Sequence, residues 1–442
     1  MSLVLDGGTV VRSLDPPLIS RADVLVEGQR VEALNARAPE GAARIDCSRC
    51  LVIPGNVCAH HHLYSSLARG MPYRLDPPEN FVQILQRIWW RLDRALGPEE
   101  VWLSAWAGGA DALLSGTTTI VDHHASPNAI EGSLQQVSAA LTGLGARAVL
   151  CYEVTDRDGP ERAAGGVEEN RRLLKERLPL VRGMVGAHAS FTLSEETLAG
   201  CVEAAREFGV GLHVHVAEDA ADERDAAARF GMRVVQRLAE AGALASGALL
   251  AHCVHVDERE AALIHETGAT VAHNARSNMN NRVGRAPVAG LGDRLTLGTD
   301  GIDGDLFAES RTAFWRAREA DASIQPEWAL RRMASSAKLA ATLFEEPVLG
   351  RIEPGAPADL VVLAYDPTTP VIEENLGGHW VFGLSARHVR DVVVNGEVVV
   401  RDRRLARADE GELRARCRDG AELLWRRMDE IPAHPFEPES GR

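Results

Sequence analysis

Short apolar runs separated by glycine-containing turns fill the first fifty residues: Leu3-Val4-Leu5 before Asp6-Gly7-Gly8, Val24-Leu25-Val26 before Glu27-Gly28, then Val31-Glu32-Ala33-Leu34. That texture predicts an all-β layer. It returns late in the chain, at 358–363 and at 392–400, where Asn395-Gly396 between two valine runs is a strong hairpin signal. Both ends are therefore expected to build one small β-sandwich, from 1–54 and 351–405, around an inserted middle. In that middle, 55–350, a first strand running into His60 is followed by apolar strands at 118–122, 147–150, 183–188, 211–215, 248–252, 269–273 and 295–300. Helical patterns such as 195–208 and 232–241 separate them, so parallel strands with crossover helices are expected. Eight such units make an α/β fold, a distorted TIM (β/α)8 barrel. The first connection is the longest and has helical spacing over 80–92. After 406 comes a C-terminal helix, 409–430, with Leu413, Cys417, Leu423 and Leu424 among its apolar positions, and a tail expected to be poorly ordered after Pro432.

Polar residues interrupt this pattern at equivalent places. In a barrel the C-terminal strand ends line the site. Here those ends carry His60 and His62, Asp122, His188, His215, His252 and Asp300. Side chains alternate along a strand, so His60 and His62 share a face and His61 points away. One histidine on an apolar strand is ordinarily a core residue; repetition at equivalent ends points to a metal centre. Nitrogen and oxygen ligands from His60, His62, His215 and Asp300 suit Zn2+, with Fe2+ as the main rival. His213 could replace His215, but the strand advances roughly 6.6 Å over two residues, so both cannot reach one ion. Glu218, three residues after His215, can reach the same pocket and move a proton, or can simply begin a helix.

Composition narrows the partners. Hydrophobic content is 45% and formal net charge is −15. A large core is available, and an acidic chain without basic clustering argues against nucleic acid. No apolar run is long enough to span a bilayer, and the N-terminus lacks a basic region followed by an apolar core, so no membrane partner and a cytoplasmic location are expected. The seven cysteines suggest no disulfide framework; Cys47-x-x-Cys50 has no second pair and reads as coincidence.

Pro54-Gly55 leading to His60-x-His62, Gly116-Thr117-Thr118-Thr119 leading to Asp122, His215-x-x-Glu218, Ala251-His252-Cys253, Ser277-Asn278, Gly298-Thr299-Asp300-Gly301 and Pro354-Gly355-x-Pro357-Ala358-Asp359-Leu360 together resemble the amidohydrolase superfamily. Within it they resemble the cytosine and guanine deaminase-like branch that includes s-triazine chlorohydrolases. The segment 89–94 and the lead-in 56–60 further resemble a group of aminohydrolases associated with selenium metabolism. The resemblance implies one divalent metal ion on His60, His62, His215 and Asp300, Glu218 as proton shuttle, His252 orienting the water or substrate, Asp300 also taking a proton from the water, and His188 touching substrate. Binuclear relatives carry a lysine on the fourth strand; here Lys175 and Lys338, the only lysines, lie in helical stretches. One departure bears on substrate contacts around Asn278: the seventh strand ends in His273-Asn274-Ala275-Arg276-Ser277-Asn278, where relatives carry Cys-Pro before Ser-Asn.

The expected activity is hydrolytic deamination of an aminated N-heterocycle of purine, pterin or pyrimidine type, by metal-activated water with release of ammonia. The alternative is hydrolysis of another C–N or C–Cl bond in a cyclic amide, ureide or halotriazine; a silent scaffold is disfavoured because every ligand is retained. Trp89, Trp90, Gln83, Gln86 and Arg91 in the first connection could stack on and hydrogen-bond a flat ring, or the tryptophans could serve helix packing. Arg276 and Arg282 could read a carbonyl or carboxylate, or be solvated. His61, His123, His124, His255 and His265 are taken as structural or surface residues. The partners expected are a small-molecule substrate and a second copy of the chain in a homo-oligomer, a dimer.

Overall fold

The computed structural model describes residues 2–245 and 247–439. Eight strands form the barrel in sequence order: Asn56–His61, Thr117–His124, Arg147–Val154, Val185–Ala189, Leu212–Val216, Leu249–His252, Thr270–His273 and Leu295–Leu297. All paired neighbours run parallel. The eighth strand closes on the first just beyond its end, where the amides of Thr299 and Asp300 donate to the His60 carbonyl at 2.9 and 3.1 Å. Glycine is required at that seam: a Cβ on Gly298 would fall 2.7 Å from the Cβ of His60. The second and third strands run past their expected ends at 122 and 150, to His124 and Val154. The short strand Val181–Gly183 pairs with the third and lies off the barrel path.

Both chain ends supply the second sheet, which also has nine strands. The N-terminal pair Ser2–Leu14 and Pro17–Glu27 joins, through Leu51–Pro54, to Leu360–Leu363 and Val389–Val394. Its far edge, Arg30–Leu34, bonds back to 356–358 through Val31 N to Ala356 O and Ala358 N to Gln29 O, both 2.9 Å. The sheet thus curls round a core that includes Leu5, Val10, Val24, Val52, Leu360 and Val393. The buried Arg147–Asp359 pair, 2.9 Å apart, ties this unit to the start of the third barrel strand.

The first connection forms one interrupted helix: Phe81–Ile84, a wide π-type turn over Leu85–Trp89, then Trp90–Ala95. Against it lies the helix Glu410–Glu430, begun by the Asp409 carboxylate, which accepts from the amides of Gly411 and Glu412. Cys417, Ala421, Leu424 and Met428 are its buried stripe; Leu423, expected among them, is half exposed because it falls off that spacing. The tail departs from expectation as well. Described residues after Pro432 strap back over the first connection: His434 is buried and its amide donates to Gln86 O at 2.9 Å, the Phe436 ring lies 5.7 Å from that of Trp90, and the amide of Glu439 donates to Asp225 at 2.8 Å. Residues 440–442 lie outside the described residues.

Candidate active site

At the C-terminal mouth of the barrel the donor atoms expected from the sequence converge. His62 Nε2 lies 3.0 Å from His215 Nε2 and 3.2 Å from Asp300 Oδ1, and His60 Nε2 lies 3.6 Å from the same oxygen. Ligands about 2.1 Å from a common ion stand roughly 3 to 4 Å apart, so these spacings match a metal donor set. The outer ring nitrogens fix which lone pairs face inward. His62 Nδ1 is 2.6 Å from His123 O and His215 Nδ1 is 2.8 Å from His188 O. A carbonyl can only accept, so each Nδ1 carries a proton and each Nε2 is the nitrogen that faces inward. Two inward-facing ring nitrogens 3.0 Å apart, with His60 Nε2 buried and without a hydrogen-bond partner, form a seat for a shared cation, and against burial the Asp300 carboxylate raises His62 to about 9, the mark of a site that attracts positive charge. Burial pushes His60 and His215 well below the usual histidine range, toward the neutral form that ligates. Burial works against charge on Asp300 too, but contacts with His60 and His62 hold its carboxyl well below the usual range. His213 lies behind this set, its Nε2 2.8 Å from His60 Nδ1, while His215 faces it.

Backbone strain gathers at the same mouth. Ala217, His252, Cys253 and Asp300 are non-glycine residues with φ of 45°, 73°, 49° and 53°. Each lies at or just after a strand end, where such conformations re-aim side chains at a cost of about 1–3 kcal/mol apiece.

Beside the donors, Glu218 Oε2 is 3.5 Å and Asp300 Oδ2 is 3.9 Å from His252 Nε2, so three proton-handling atoms surround one spot. Burial, with some help from the Asp300 charge and against the opposing His252, pushes the Glu218 carboxyl up to about 7. That suits a group that must give and take a proton near neutrality. Asn281 Nδ2 donates to Glu218 at 3.3 Å, and the Ser277 hydroxyl donates to Asp300 Oδ2.

The cavity over this site is walled on one side by Phe81, Leu85, Trp89, Trp90 and Phe191, and also by His188 and Glu153. The wide turn at Leu85–Trp89 explains why two successive tryptophans reach one cavity: the helical register slips between them. Other expected contacts are not brought here. Gln86 turns away, its Nε2 donating to Phe436 O and Glu437 Oε1, both at 2.8 Å. Arg91 donates to Met428 O and Ile431 O, each at 2.6 Å, capping the C-terminal helix. Gln83 accepts from the Glu79 amide, and Arg276 is engaged by Asp303 and Glu309. Asn278 sits beneath His252, its Oδ1 2.7 Å from Nδ1, so it orients that ring instead of lining the cavity.

Glu153 is a cavity residue that the sequence does not mark, and His123, expected to be structural or surface, supports it. Glu153, on the extension of the third strand, lines the cavity, and His123, on that of the second, lies beneath it with Nδ1 3.1 Å from Glu153 Oε2 and Nε2 3.0 Å from His213 O. The available signal was the continued apolar run Cys151-Tyr152 before Glu153, which lengthens the strand. His61 is buried with both ring nitrogens unpartnered, facing away from the donors as expected. His124, also buried, meets the Ser126 hydroxyl at 2.9 Å.

Comparison with known proteins agrees with this architecture. The Amidohydrolase family matches residues 51–399. A 5-methylthioadenosine/S-adenosylhomocysteine deaminase of Symbiobacterium thermophilum is 31% identical over 96% of this chain and 99% of its own length. A 5'-deoxyadenosine deaminase of Methanopyrus kandleri is 31% identical over 85% of this chain and 86% of its own. Among solved structures, an adenosine deaminase from Xanthomonas campestris with bound zinc shares the fold at TM-score 0.82 and 23% identity, covering 97% of this chain and 99% of its own. Zinc is also present in an atrazine chlorohydrolase from Arthrobacter aurescens TC1, which matches at TM-score 0.81 and 23% identity over 95% of this chain and 100% of its own. Among the described residues no helix is long and apolar enough to cross a membrane. With the family match spanning the whole barrel and the adjoining strands of the second sheet from 51 to 399, and relatives aligned over nearly the whole length, this chain belongs to the amidohydrolase family.

Proposed function

We propose that this chain is a hydrolytic deaminase of an aminated N-heterocycle, with purines favoured among the ring classes, and that one divalent cation, Zn2+, is held by His60, His62, His215 and Asp300. The observation that carries the reading is the pair of inward-facing imidazole nitrogens 3.0 Å apart beside a carboxylate, with a second carboxyl, Glu218, poised to titrate near neutrality. The relatives named for methylthioadenosine, S-adenosylhomocysteine and deoxyadenosine substrates support the purine preference. A divalent cation in that donor set supplies Lewis acidity that makes water nucleophilic at neutral pH.

The chain's own groups do the rest. Asp300 Oδ2, on the His252 side of its carboxyl, accepts a proton from the attacking water. His252, held in one tautomer by Asn278, hydrogen-bonds the incoming oxygen through Nε2. Glu218 delivers a proton to the ring nitrogen next to the attacked carbon and takes up the next one. The water oxygen bonds to carbon, the exocyclic C–N bond breaks, and ammonia leaves with the balance of the protons. Aromatic faces at Trp89, Trp90 and Phe191 stack on a flat ring and keep bulk water out. The test is ammonia release from zinc-loaded protein across aminopurines, aminopterins and aminopyrimidines. Turnover in one class is expected; silence in all three, with metal bound, overturns the reading.

A further inference from the structure

Glu153 has no part in the hydrolytic machinery, yet it lines the cavity on the His188 side, and its charge is built in with care. Burial opposes ionisation, but His188, His123 and Arg157 outweigh it and hold the carboxyl well below the usual range. Arg157 Nη1 is 3.1 Å from Oε1, His123 Nδ1 is 3.1 Å from Oε2, and His188 Nε2 is 3.9 Å from Oε1. Each carboxylate oxygen accepts more than one hydrogen bond, so these partners fix the group without filling it. The Arg157 guanidinium itself is withheld from the cavity: it stacks 5.2 Å from the Trp90 ring and is shared among Glu153, Asp93 and Asp158.

The rest of the wall has the same bias. Among the described residues that line the cavity there is no lysine or arginine, whereas Glu153, Glu218, Asp219, Asp222 and Asp300 all contribute carboxyl groups. Asp222 is spent on the amides of Phe191 and Ala217, and Asp219 on that of Ala221. Glu218 and Asp300 serve the reaction. Glu153 remains as a fixed acceptor beside an aromatic wall, a combination that favours N–H donors and cations and repels carboxylates and phosphates.

We propose that Glu153 is a substrate-reading carboxylate, accepting an N–H from the bound heterocycle, and that the substrate is a neutral or cationic ring compound without a carboxylate or phosphate arm. This rests on the deaminase reading for the ring, and sharpens it by separating this cavity's ligand from a purine that carries an acidic substituent. A unit charge about 10 Å from the carboxylate at an effective dielectric near 20 changes affinity by roughly tenfold or more.

The experiment uses zinc-loaded full-length protein and two ligands that differ only in one arm, 9-(2-aminoethyl)adenine and 9-(carboxymethyl)adenine, titrated by calorimetry. The wild type should bind the cationic ligand at least about tenfold more tightly. Glu153→Gln should bring the two within about threefold at unchanged zinc content, and Glu153→Asp, which keeps the charge, should restore the preference. Equal affinity in the wild type, or a preference that survives in Glu153→Gln, overturns the assignment; so does a failure of both ligands to bind. Because the wild-type preference is read alone, a poorly folding variant does not shield the proposal. An intact preference without ammonia release from any ring overturns only the deaminase reading.

Discussion

Replacing Arg91 with methionine separates two roles that the same residue could play in the first connection. The sequence invites a substrate contact; the structure makes the guanidinium a clamp. Its donors meet Ile431 O and Met428 O at 2.6 Å and Arg87 O at 3.0 Å, and the side chain is 3% exposed. A hydrogen bond from a charged donor contributes about 1.5–3 kcal/mol, and a carbonyl left buried without a partner costs about 1–3 kcal/mol. Burial works against the charge, which pushes the guanidinium pKa down and reduces the gain. Water can also reach some of the freed carbonyls at the helix end. The expected net loss is about 3 kcal/mol, with methionine keeping most of the stem's packing. Thermal unfolding by scanning fluorimetry should fall by at least about 3 °C. Amide exchange should rise in both 81–95 and 428–439, while KM for the active ring class stays within about twofold. Arg91→Lys should fall between, since a point charge cannot serve diverging carbonyls at once. An unchanged melting temperature with KM raised tenfold would refute the clamp and return Arg91 to the substrate.

Three further outcomes follow from the geometry. His215→Ala should abolish stoichiometric zinc, whereas His213→Gln, which disturbs only the partner of His60 Nδ1, should weaken zinc by about 10–100-fold in a chelator competition; a full zinc complement in His215→Ala would move the ligand role. Gly298→Ala places a Cβ 2.4 Å from Asn274 Oδ1 and 2.7 Å from His60 Cβ, so zinc occupancy and melting temperature should fall together; a variant indistinguishable from wild type in both would contradict the seam at the barrel closure. His124 is buried and pushed down to about 3, chiefly by burial, with His61 and His273 at about 4. Unfolded histidine binds its proton near 6.5, so between about pH 3 and 6.5 the unfolded chain holds more protons; stability is full above that window and is lost as pH falls through it, by about 2 kcal/mol per group at pH 5. His124→Asn should make stability measured from pH 5 to 7 shallower by about one proton, and an unchanged slope would contradict a neutral buried imidazole there.

The barrel is readable because its strands are apolar runs, most of which stop at a polar residue, and because such stops recur at one end of the fold. That recurrence marks His60, His62, His215, His252 and Asp300, which the structure brings to one mouth of the barrel, with Glu218, three residues past His215, beside them. The misses have a different physical origin. Glu153 lies on a strand extension that continues into the site, so a strand ended at 150 hides it. Gln86 and Arg91 face the C-terminal helix and tail more than 300 positions away, and no local pattern can distinguish that neighbour from a ligand. The ordered strap at 432–439 is hidden in the same way: its composition reads as a free end, and its anchors, Gln86 O, the Trp90 ring and Asp225, belong to other elements.

The central claim, that Glu218 moves protons for a hydrolysis centred on the histidine-rich metal site, is tested most directly by measuring zinc content and ammonia release of Glu218→Gln beside the wild type on the active ring class. The account predicts about one zinc per chain in both proteins and a loss of turnover of at least about 10²-fold in the variant. Near-wild-type ammonia release from Glu218→Gln would contradict it.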